Sequence, residues 1–404
     1  MSSPATSRFT NLDVQNDPAA IRRSLPAFLV SGILASFLGA ILPSWGYHLR
    51  ADFAEVGNYF LSLNIGFLLS AAAAHALLPR RGVQFTLVLG SVLAFSGFLF
   101  LALCSPPVPT VWRLAGVLWI GISAGLLNAG VFQAIGPFYE RDRAAAVNLA
   151  GASFGTGCLI TALLVAGTFY AYSVASILVL FAIVPGAYAV LSARSTFPES
   201  APHAASFSEL MRDIKKPGAV LFSLLLFFQF GNEWSIAGWL PLFLIRRLGI
   251  SPAESLLLLA LYWASLLLGR VVSQFIMKRM SHGTLLIGSV ASALLGAIVL
   301  AFTNNIFGAV MGILFVGLGF AAVYPLVVEK IGDSFPDYHP GLYNGIFSLA
   351  ITGGFLAPWL LGFLADSWGI QAVMVVPMVG TCMVFALVLL IMLEAKLSGL
   401  AEVK

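Results

Sequence analysis

Long apolar runs separated by short polar breaks dominate the 404-residue chain. Each run approaches the roughly 20 residues that a helix needs to cross a bilayer, so the pattern predicts twelve spanning helices. Their predicted bounds are 25–47, 55–78, 84–104, 111–137, 144–169, 172–192, 218–245, 253–277, 284–302, 306–331, 341–365 and 371–394. The sequence therefore predicts an all-α membrane protein with twelve transmembrane helices in two six-helix bundles, 25–192 and 218–394.

The polar segments lie at the two ends and in the middle of the chain. Residues 1–24 and 395–404 are predicted tails, and residues 193–217 form a linker that contains "SFSELMRDIKKPG". The apolar side chains between Phe207 and Ile214 recur at helical spacing, which predicts a short amphipathic helix on the membrane surface. A solvated linker without fixed structure is the alternative.

The two halves of the chain resemble each other. At an offset of 196 residues, Gly116 meets Gly312 and Gly121 meets Gly317, and a nearly equal offset of 198 aligns "GSV" at 90 with "GSV" at 288. Similar offsets across several helix pairs indicate a parallel six-plus-six repeat of the kind found in transporters.

Charge is scarce and unevenly placed. Only 9% of the residues are charged, against about 25% in a soluble domain. Of the 21 Lys and Arg residues, one side of the predicted topology holds only Arg50, Arg113, Arg246 and Arg247, and Arg270 lies inside a span. Because basic loops stay in the cytoplasm, both termini are predicted to be cytoplasmic in a multi-pass protein of the cell (inner) membrane.

Several function classes lack their motifs. The sequence has no GxxxxGK[ST] phosphate loop, no HExxH and no clustered Cys/His ligands. It also has no basic patch interleaved with aromatic residues. We therefore expect no enzymatic activity, no metal, no cofactor and no nucleic-acid partner. The expected partners are a small-molecule substrate and the lipid bilayer, and we expect a monomer.

These features together resemble the major facilitator superfamily along essentially the whole chain. The most specific piece, "YPLVVEKIGDSFPDYHPGLYNGIFSLAITGGFLAPWLLGFLADSWG" at 324–369, resembles its tenth and eleventh helices. "AILPSWGYHLRADFAEVGNYFLSLNIGFLL" and "EWSIAGWLP" are similar to the fucose/glucose–cation symporter branch. The resemblance implies alternating-access transport of a solute that binds between the two bundles.

Glu233 is the candidate for ion coupling. It lies about 15 residues into the predicted span 218–245, near the middle of the membrane. An ionised carboxylate at that depth is costly unless it is paired or wet, so such groups usually face the interior and mark pathways. We expect Glu233 to carry a proton, with Na⁺ as the alternative coupling ion. A structural carboxyl held neutral by hydrogen bonds is the alternative role.

Polar and aromatic residues near the same depth are the candidate solute contacts. Amides can hydrogen-bond a polar solute and aromatic rings can stack on a sugar ring. Interhelical hydrogen bonds and packing are the alternative roles. The predicted solute contacts are Asn64, Asn128, Gln229, Asn232, Trp239, Tyr262, Trp263, Tyr324 and Asn344.

Charged residues toward the cytoplasmic ends of the spans are candidates for an inner gate. We expect Arg270 to pair with Glu329, and Glu140 to pair with Arg80 or Arg81 in the first half. Snorkelling of these side chains to the headgroups is the alternative.

The sequence as a whole predicts a secondary active transporter. It would move a small polar, sugar-like solute by alternating access, in symport with a proton. A proton-driven exporter of amphipathic compounds is one alternative. A non-transporting membrane sensor or scaffold on the same fold is another.

Overall fold

The structure, a computed structural model, describes residues 18–50, 52–141, 143–197, 217–277, 279–334 and 340–397. Every regular element in these ranges is a helix. They are α1 Pro18–Ile41, α2 Phe53–Leu103, α3 Thr110–Arg141, α4 Arg143–Thr168, α5 Val174–Ala193, α6 Pro217–Leu248, α7 Pro252–Met277, α8 His282–Phe302, α9 Ile306–Ser334, α10 Pro340–Trp368 and α11 Ala372–Leu397. Within the described part of the chain, eleven helices are long and apolar enough to cross a membrane. The predicted linker helix lies outside it, and of the predicted tails only residues 18–24 and 395–397 are described, as parts of α1 and α11.

The first predicted span ends earlier than expected. We predicted a helix to residue 47, but α1 ends at Ile41 and a series of turns follows. Pro43 has no amide hydrogen to continue the helical ladder, and Gly46 adopts φ +84°, which favours glycine. The chain therefore folds over the end of α1 before α2 begins.

Helix α2 covers the second and third predicted spans and is interrupted at Gly82. Its 51 residues would extend about 75 Å at 1.5 Å per residue, far more than the roughly 30 Å hydrocarbon thickness. Gly82 has φ 77° and ψ 176°, outside helical geometry. The break follows Arg80 and Arg81, which lie exposed at this point.

The helices contact one another both within and between the two halves of the chain. In the first half (α1–α5), α1 packs on α4, and α2 packs on α3 and α5. In the second half (α6–α11), α6 packs on α10 and α11, and α9 packs on α7 and α8. The halves meet where α4 contacts α7, α2 contacts α10, and α1 contacts α6.

The connections define two ends of the molecule. One, called the short-turn end, carries the connections 42–52, 104–109, 169–173, 249–251, 303–305 and 369–371. The opposite end, called the basic end, carries the α2 break and the exposed side chains of Arg194 and Arg279. Successive spans alternate in direction between these two ends.

Candidate functional site

Glu233 lies at a junction of the two halves. It is buried on α6, with 8% of its surface exposed. The Tyr262 hydroxyl of α7 donates a hydrogen bond to the Glu233 backbone oxygen at 3.4 Å. Cys158 of α4 and Arg270 of α7 both interact with the Glu233 carboxylate electrostatically. The electrostatic environment of the carboxylate therefore includes groups from both halves, on α4 and α7.

Gln229 adds an unsatisfied amide one helical turn from Glu233. It is 1% exposed, and neither Nε2 nor Oε1 has a hydrogen-bond partner. The side chain interacts with the Glu233 carboxylate, but without the geometry of a hydrogen bond. Buried polar groups of native proteins are normally satisfied, so this amide is available to a bound molecule.

Aromatic rings line the same junction. Trp263 is buried beside Tyr262, with ring centroids 5.2 Å apart, and its Nε1 has no hydrogen-bond partner. Trp234 packs 6.1 Å from Trp263 and edge-on against Phe154 of α4 at 6.0 Å. The structure thus brings Tyr262 to the Glu233 backbone and Trp263 to the neighbouring Trp234 ring, two predicted solute contacts against the same part of α6.

Other predicted solute contacts lie in contacts between helices. Asn64 Nδ2 donates to the Phe355 carbonyl at 2.9 Å. Asn232 Nδ2 donates to Thr381 Oγ1 at 3.3 Å. Trp239 Nε1 donates to the Pro358 carbonyl at 3.0 Å. Their polar groups hold helix pairs together in this state.

The remaining three predicted contacts lie on α3, α9 and α10. Asn128 on α3 is half-buried. Tyr324 on α9 packs its ring 5.4 Å from Phe230. Asn344 belongs to α10, but its side chain lies outside the described residues.

The predicted inner gate has a different arrangement at the basic end. Glu329 pairs with His282 at 3.5 Å rather than with Arg270, which instead interacts with Glu233. Arg80 is exposed, and Arg81 stacks over the Phe85 ring at 5.6 Å. The Glu140 side chain lies outside the described residues, so its predicted pairing stays a prediction.

The short-turn end is closed by contacts between the halves. Asp366 of α10 accepts hydrogen bonds from the backbone amides of Phe53 and Ala54, at 3.0 and 3.1 Å. These amides open helix α2, where orphan N–H groups and the helix dipole favour a negative charge. Sequence reasoning missed Asp366, although it lies in the "LADSWG" segment of the family resemblance.

Helix α2 approaches α10 closely just beyond this cap. A Cβ at Gly57 would lie 2.7 Å from the Trp359 carbonyl, and one at Gly362 would lie 2.6 Å from the Phe53 carbonyl. Only glycine permits this separation, so both positions favour closure of the two halves at the short-turn end.

A buried arginine organises the short-turn end of the first half. Arg113, assigned to a loop side by charge counting, is 5% exposed. Its Nε donates to the Tyr59 hydroxyl at 2.8 Å and its Nη2 to Thr110 Oγ1 at 3.0 Å, and Glu55 lies 3.8 Å away. Tyr47 donates to the Glu55 carboxylate at 2.5 Å; burial and this hydrogen bond raise the pKa of Tyr47. Tyr47 therefore stays a neutral donor.

Several known proteins with similar sequences or structures are named as transporters. The chain is 28% identical over 167 residues to the glucose/galactose transporter of Brucella abortus biovar 1 (strain 9-941), covering 40% of this chain and 39% of that relative. The match therefore spans well under two thirds of the relative's length.

Two solved structures have similar folds. The nucleoside transporter NupG superposes with a TM-score of 0.65 at 13% identity, covering 95% of this chain and 98% of that one. The E. coli fucose:proton symporter FucP, in its outward conformation, superposes with a TM-score of 0.64 at 16% identity, covering 94% and 99%. At these identities the likeness shows the fold alone.

The family itself follows from a match over most of the chain. Residues 24–356 match the Major Facilitator Superfamily, in agreement with the long apolar helices and the resemblance in the sequence. The chain therefore belongs to the Major Facilitator Superfamily, and its described helices are long and apolar enough for a multi-pass membrane protein.

Proposed function

We propose that this transporter moves a small polar, sugar-like solute by alternating access, in symport with a proton that Glu233 carries. One observation carries the proposal. Glu233, buried between the halves, lies beside an amide, on Gln229, with no hydrogen-bond partner. A carboxylate and a free amide in an aromatic-lined interior can bind a proton and a hydroxyl-bearing solute together. The name of the Brucella abortus relative, a glucose/galactose transporter, supports a sugar as the solute.

The proposed topology has twelve spans in two six-helix bundles. Counting α2 as two spans, divided at Gly82, gives twelve. The bias of Lys and Arg toward the basic end supports a cytoplasmic location for that end and for both termini. The bacterial source of the relative supports the inner membrane, and we propose a monomer as the working unit.

The proposed cycle begins from a state closed at the short-turn end. The Asp366 cap on α2 and the Gly57–Gly362 approach would separate when the site opens on that side. The contact of α4 with α7 would then be the pivot region around the bound solute.

Protonation of Glu233 would couple this movement to the proton gradient. A neutral carboxyl crosses an apolar, closed intermediate at lower cost than a carboxylate. When ionised, the group has Arg270 as its electrostatic partner. Na⁺ remains the alternative coupling ion, and it would require the ionised form.

Uptake by proteoliposomes tests the proposal. We expect an imposed pH gradient, acidic outside, to drive accumulation of a labelled sugar from a panel of neutral and acidic sugars. Glu233→Gln should abolish accumulation but keep solute exchange, because exchange needs no net proton movement. Glu254→Gln, which neutralises an exposed carboxyl at the short-turn end, is the control and should behave as wild type.

Three results would contradict this proposal. Accumulation by Glu233→Gln at the wild-type level would remove the proton carrier. Accumulation driven only by a sodium gradient would replace the coupling ion. Uptake indifferent to both gradients would leave facilitated diffusion.

An exporter of amphipathic compounds is the second candidate. It is favoured by the aromatic ring series Phe154–Trp234–Trp263, which suits an apolar ligand. Proton-driven efflux of a fluorescent amphipathic dye, together with no sugar accumulation, would select it.

A further inference from the structure

We propose that the solute carries a carboxylate group and that Arg270 binds it. The site would thus take a sugar acid, a polyhydroxylated molecule with one carboxylate. The inference rests on the proposed function, because it names the solute class of the same site.

Arg270 lies at a contact between the two halves. The residue lies on α7 where that helix packs on α4. A Cβ at Gly151 of α4 would overlap the guanidinium, with Cζ only 2.8 Å away. Glycine at this position therefore leaves room for the guanidinium against the α4 backbone. The charge therefore lies between the two halves.

The Arg270 guanidinium has a hydrogen-bond donor without a partner. Its Nε is buried and has no hydrogen-bond partner. No described carboxylate lies within 4.0 Å of the guanidinium, since the ion pairs among the described residues are Arg113–Glu55 and His282–Glu329. A guanidinium matches the two oxygens of a carboxylate in a bidentate pair. An anion is therefore the ligand that this group fits.

The positive charge of Arg270 is compensated by Glu233 only while that carboxyl is ionised. Arg270 is the described cation that interacts with Glu233; Tyr262 from α7 and Cys158 from α4 are the neutral titratable groups facing it. Two charged side chains on the neighbouring helices have partners elsewhere: Glu329 of α9 pairs with His282, and Asp366 of α10 caps α2. When Glu233 takes up a proton, the positive charge of Arg270 is left without compensation, which is costly inside a span. A bound carboxylate restores neutrality.

Neutral hydrogen-bond donors without partners lie on α6 and α7. The Gln229 amide and the Trp263 indole Nε1 are buried without partners. They can hydrogen-bond hydroxyl groups of the same solute, while Arg270 holds its carboxylate. The neutral groups account for the sugar part of the ligand and the guanidinium for its acid.

These steps give a balanced cycle. One proton binds Glu233 and one carboxylate binds Arg270, so the loaded site gains no net charge. Proton and anion each favour binding of the other. On release, the anion leaves, Glu233 gives up its proton, and the Glu233–Arg270 interaction is restored.

Binding and uptake by the purified full chain test the inference. The probes are D-glucuronate and D-glucose, which share a ring and differ in a carboxylate. We expect wild type to bind glucuronate about tenfold or more tightly than glucose, and to take it up electroneutrally with a proton. Arg270→Gln should lose this preference, whereas Arg270→Lys should keep part of it.

Two further variants separate binding from folding. Gly151→Ala displaces only the flexible end of Arg270, so it should fold and still weaken glucuronate binding more than glucose binding. Arg279→Gln removes an exposed arginine at the basic end and should leave the preference unchanged.

The outcomes distinguish this inference from the proposed function. Equal affinity for the two probes, or an unchanged preference in Arg270→Gln and Gly151→Ala, would overturn the carboxylate site. Proton-driven, Glu233-dependent uptake of glucose would in that case keep the proposed function. No binding of either probe would overturn the carboxylate site, and uptake of the other sugars of the panel would then decide the proposed function.

Discussion

Gln229 is the residue whose environment says most about the interior of this transporter. A buried amide with neither atom hydrogen-bonded costs about 1–3 kcal/mol. Asn232, only three positions away, shows the ordinary solution, because it bonds Thr381 on a neighbouring helix. The free-energy cost of an unsatisfied buried amide is therefore present at Gln229 but absent at Asn232, one helical turn away. Such a tolerated cost is typical of a functional group.

Replacing Gln229 with methionine should make the protein more stable and less active. Methionine has a similar shape and removes the unsatisfied amide, so the free energy of unfolding should rise by about 1 kcal/mol. Binding of the solute should weaken, because its hydrogen-bond partner is gone. Thermal unfolding in detergent and a binding titration measure the two effects.

Asn232→Leu is the matched control for this prediction. It removes an amide that has a partner, so stability should fall. Equal destabilisation by both variants would show that the Gln229 amide is satisfied in the working protein.

At the residue scale, depth could be predicted but neighbours could not. Counting into the span identified Glu233, and Gln229 was predicted as a polar residue near the same depth. The sequence does not say which helix each polar side chain meets. Asn64 therefore looked like Gln229, yet it bonds the Phe355 carbonyl, 291 residues away.

At the scale of elements, helix α2 depends on the other half of the chain for its N-terminal cap. Its own N-cap residue, Asp52, makes no side-chain cap hydrogen bond. Asp366 of α10 caps it instead. The strength of this contact therefore contributes directly to the balance between the closed and open states of the short-turn end.

Asp366→Asn should shift this balance toward opening. An amide carries no charge and offers one acceptor oxygen instead of two, which costs about 1 kcal/mol, or roughly fivefold in the equilibrium. If the closed state predominates, solute affinity from the short-turn side should improve by up to that factor. Solute titration of oriented vesicles measures it.

Asp52→Asn is the control for Asp366→Asn. It neutralises a carboxyl at the same helix end that holds no amide, so affinity should not change. An identical effect of the two variants would mean that general charge, rather than the cap, sets the balance.

Most helix positions were well predicted, because a spanning helix is recognisable in the sequence from the length of its apolar run. The bounds of α7, Pro252–Met277, differ by one residue from the prediction. Long-range pairs were missed for a physical reason. Arg113 bonds Tyr59 and Tyr47, which precede it by 54 and 66 residues, and nothing in the local pattern marks such partners.

At the scale of the whole molecule, the family prediction is confirmed by the match over residues 24–356. The all-α fold is confirmed as well, since every regular element of the described residues is a helix and FucP superposes with a TM-score of 0.64 over 94% of the chain. Which end faces the cytoplasm stays a prediction from the positions of Lys and Arg.

Reporter fusions should reveal this orientation. Alkaline phosphatase folds only outside the cytoplasm, since it needs disulfides. A fusion at Asn304, in a short-turn connection, should be active, and a fusion at Arg279, at the basic end, should be inactive. The reverse pattern of activity would invert the proposed topology.

The cap that Asp366 places on α2 also provides a natural readout. The amide hydrogens of Phe53 and Ala54 are held by a carboxylate from the other half, so they are shielded only while the halves touch. Separation of the halves would release both amides to water, where they would exchange with deuterium. The exchange rate at the start of one helix would therefore track which face of the transporter is open, without any label on the protein.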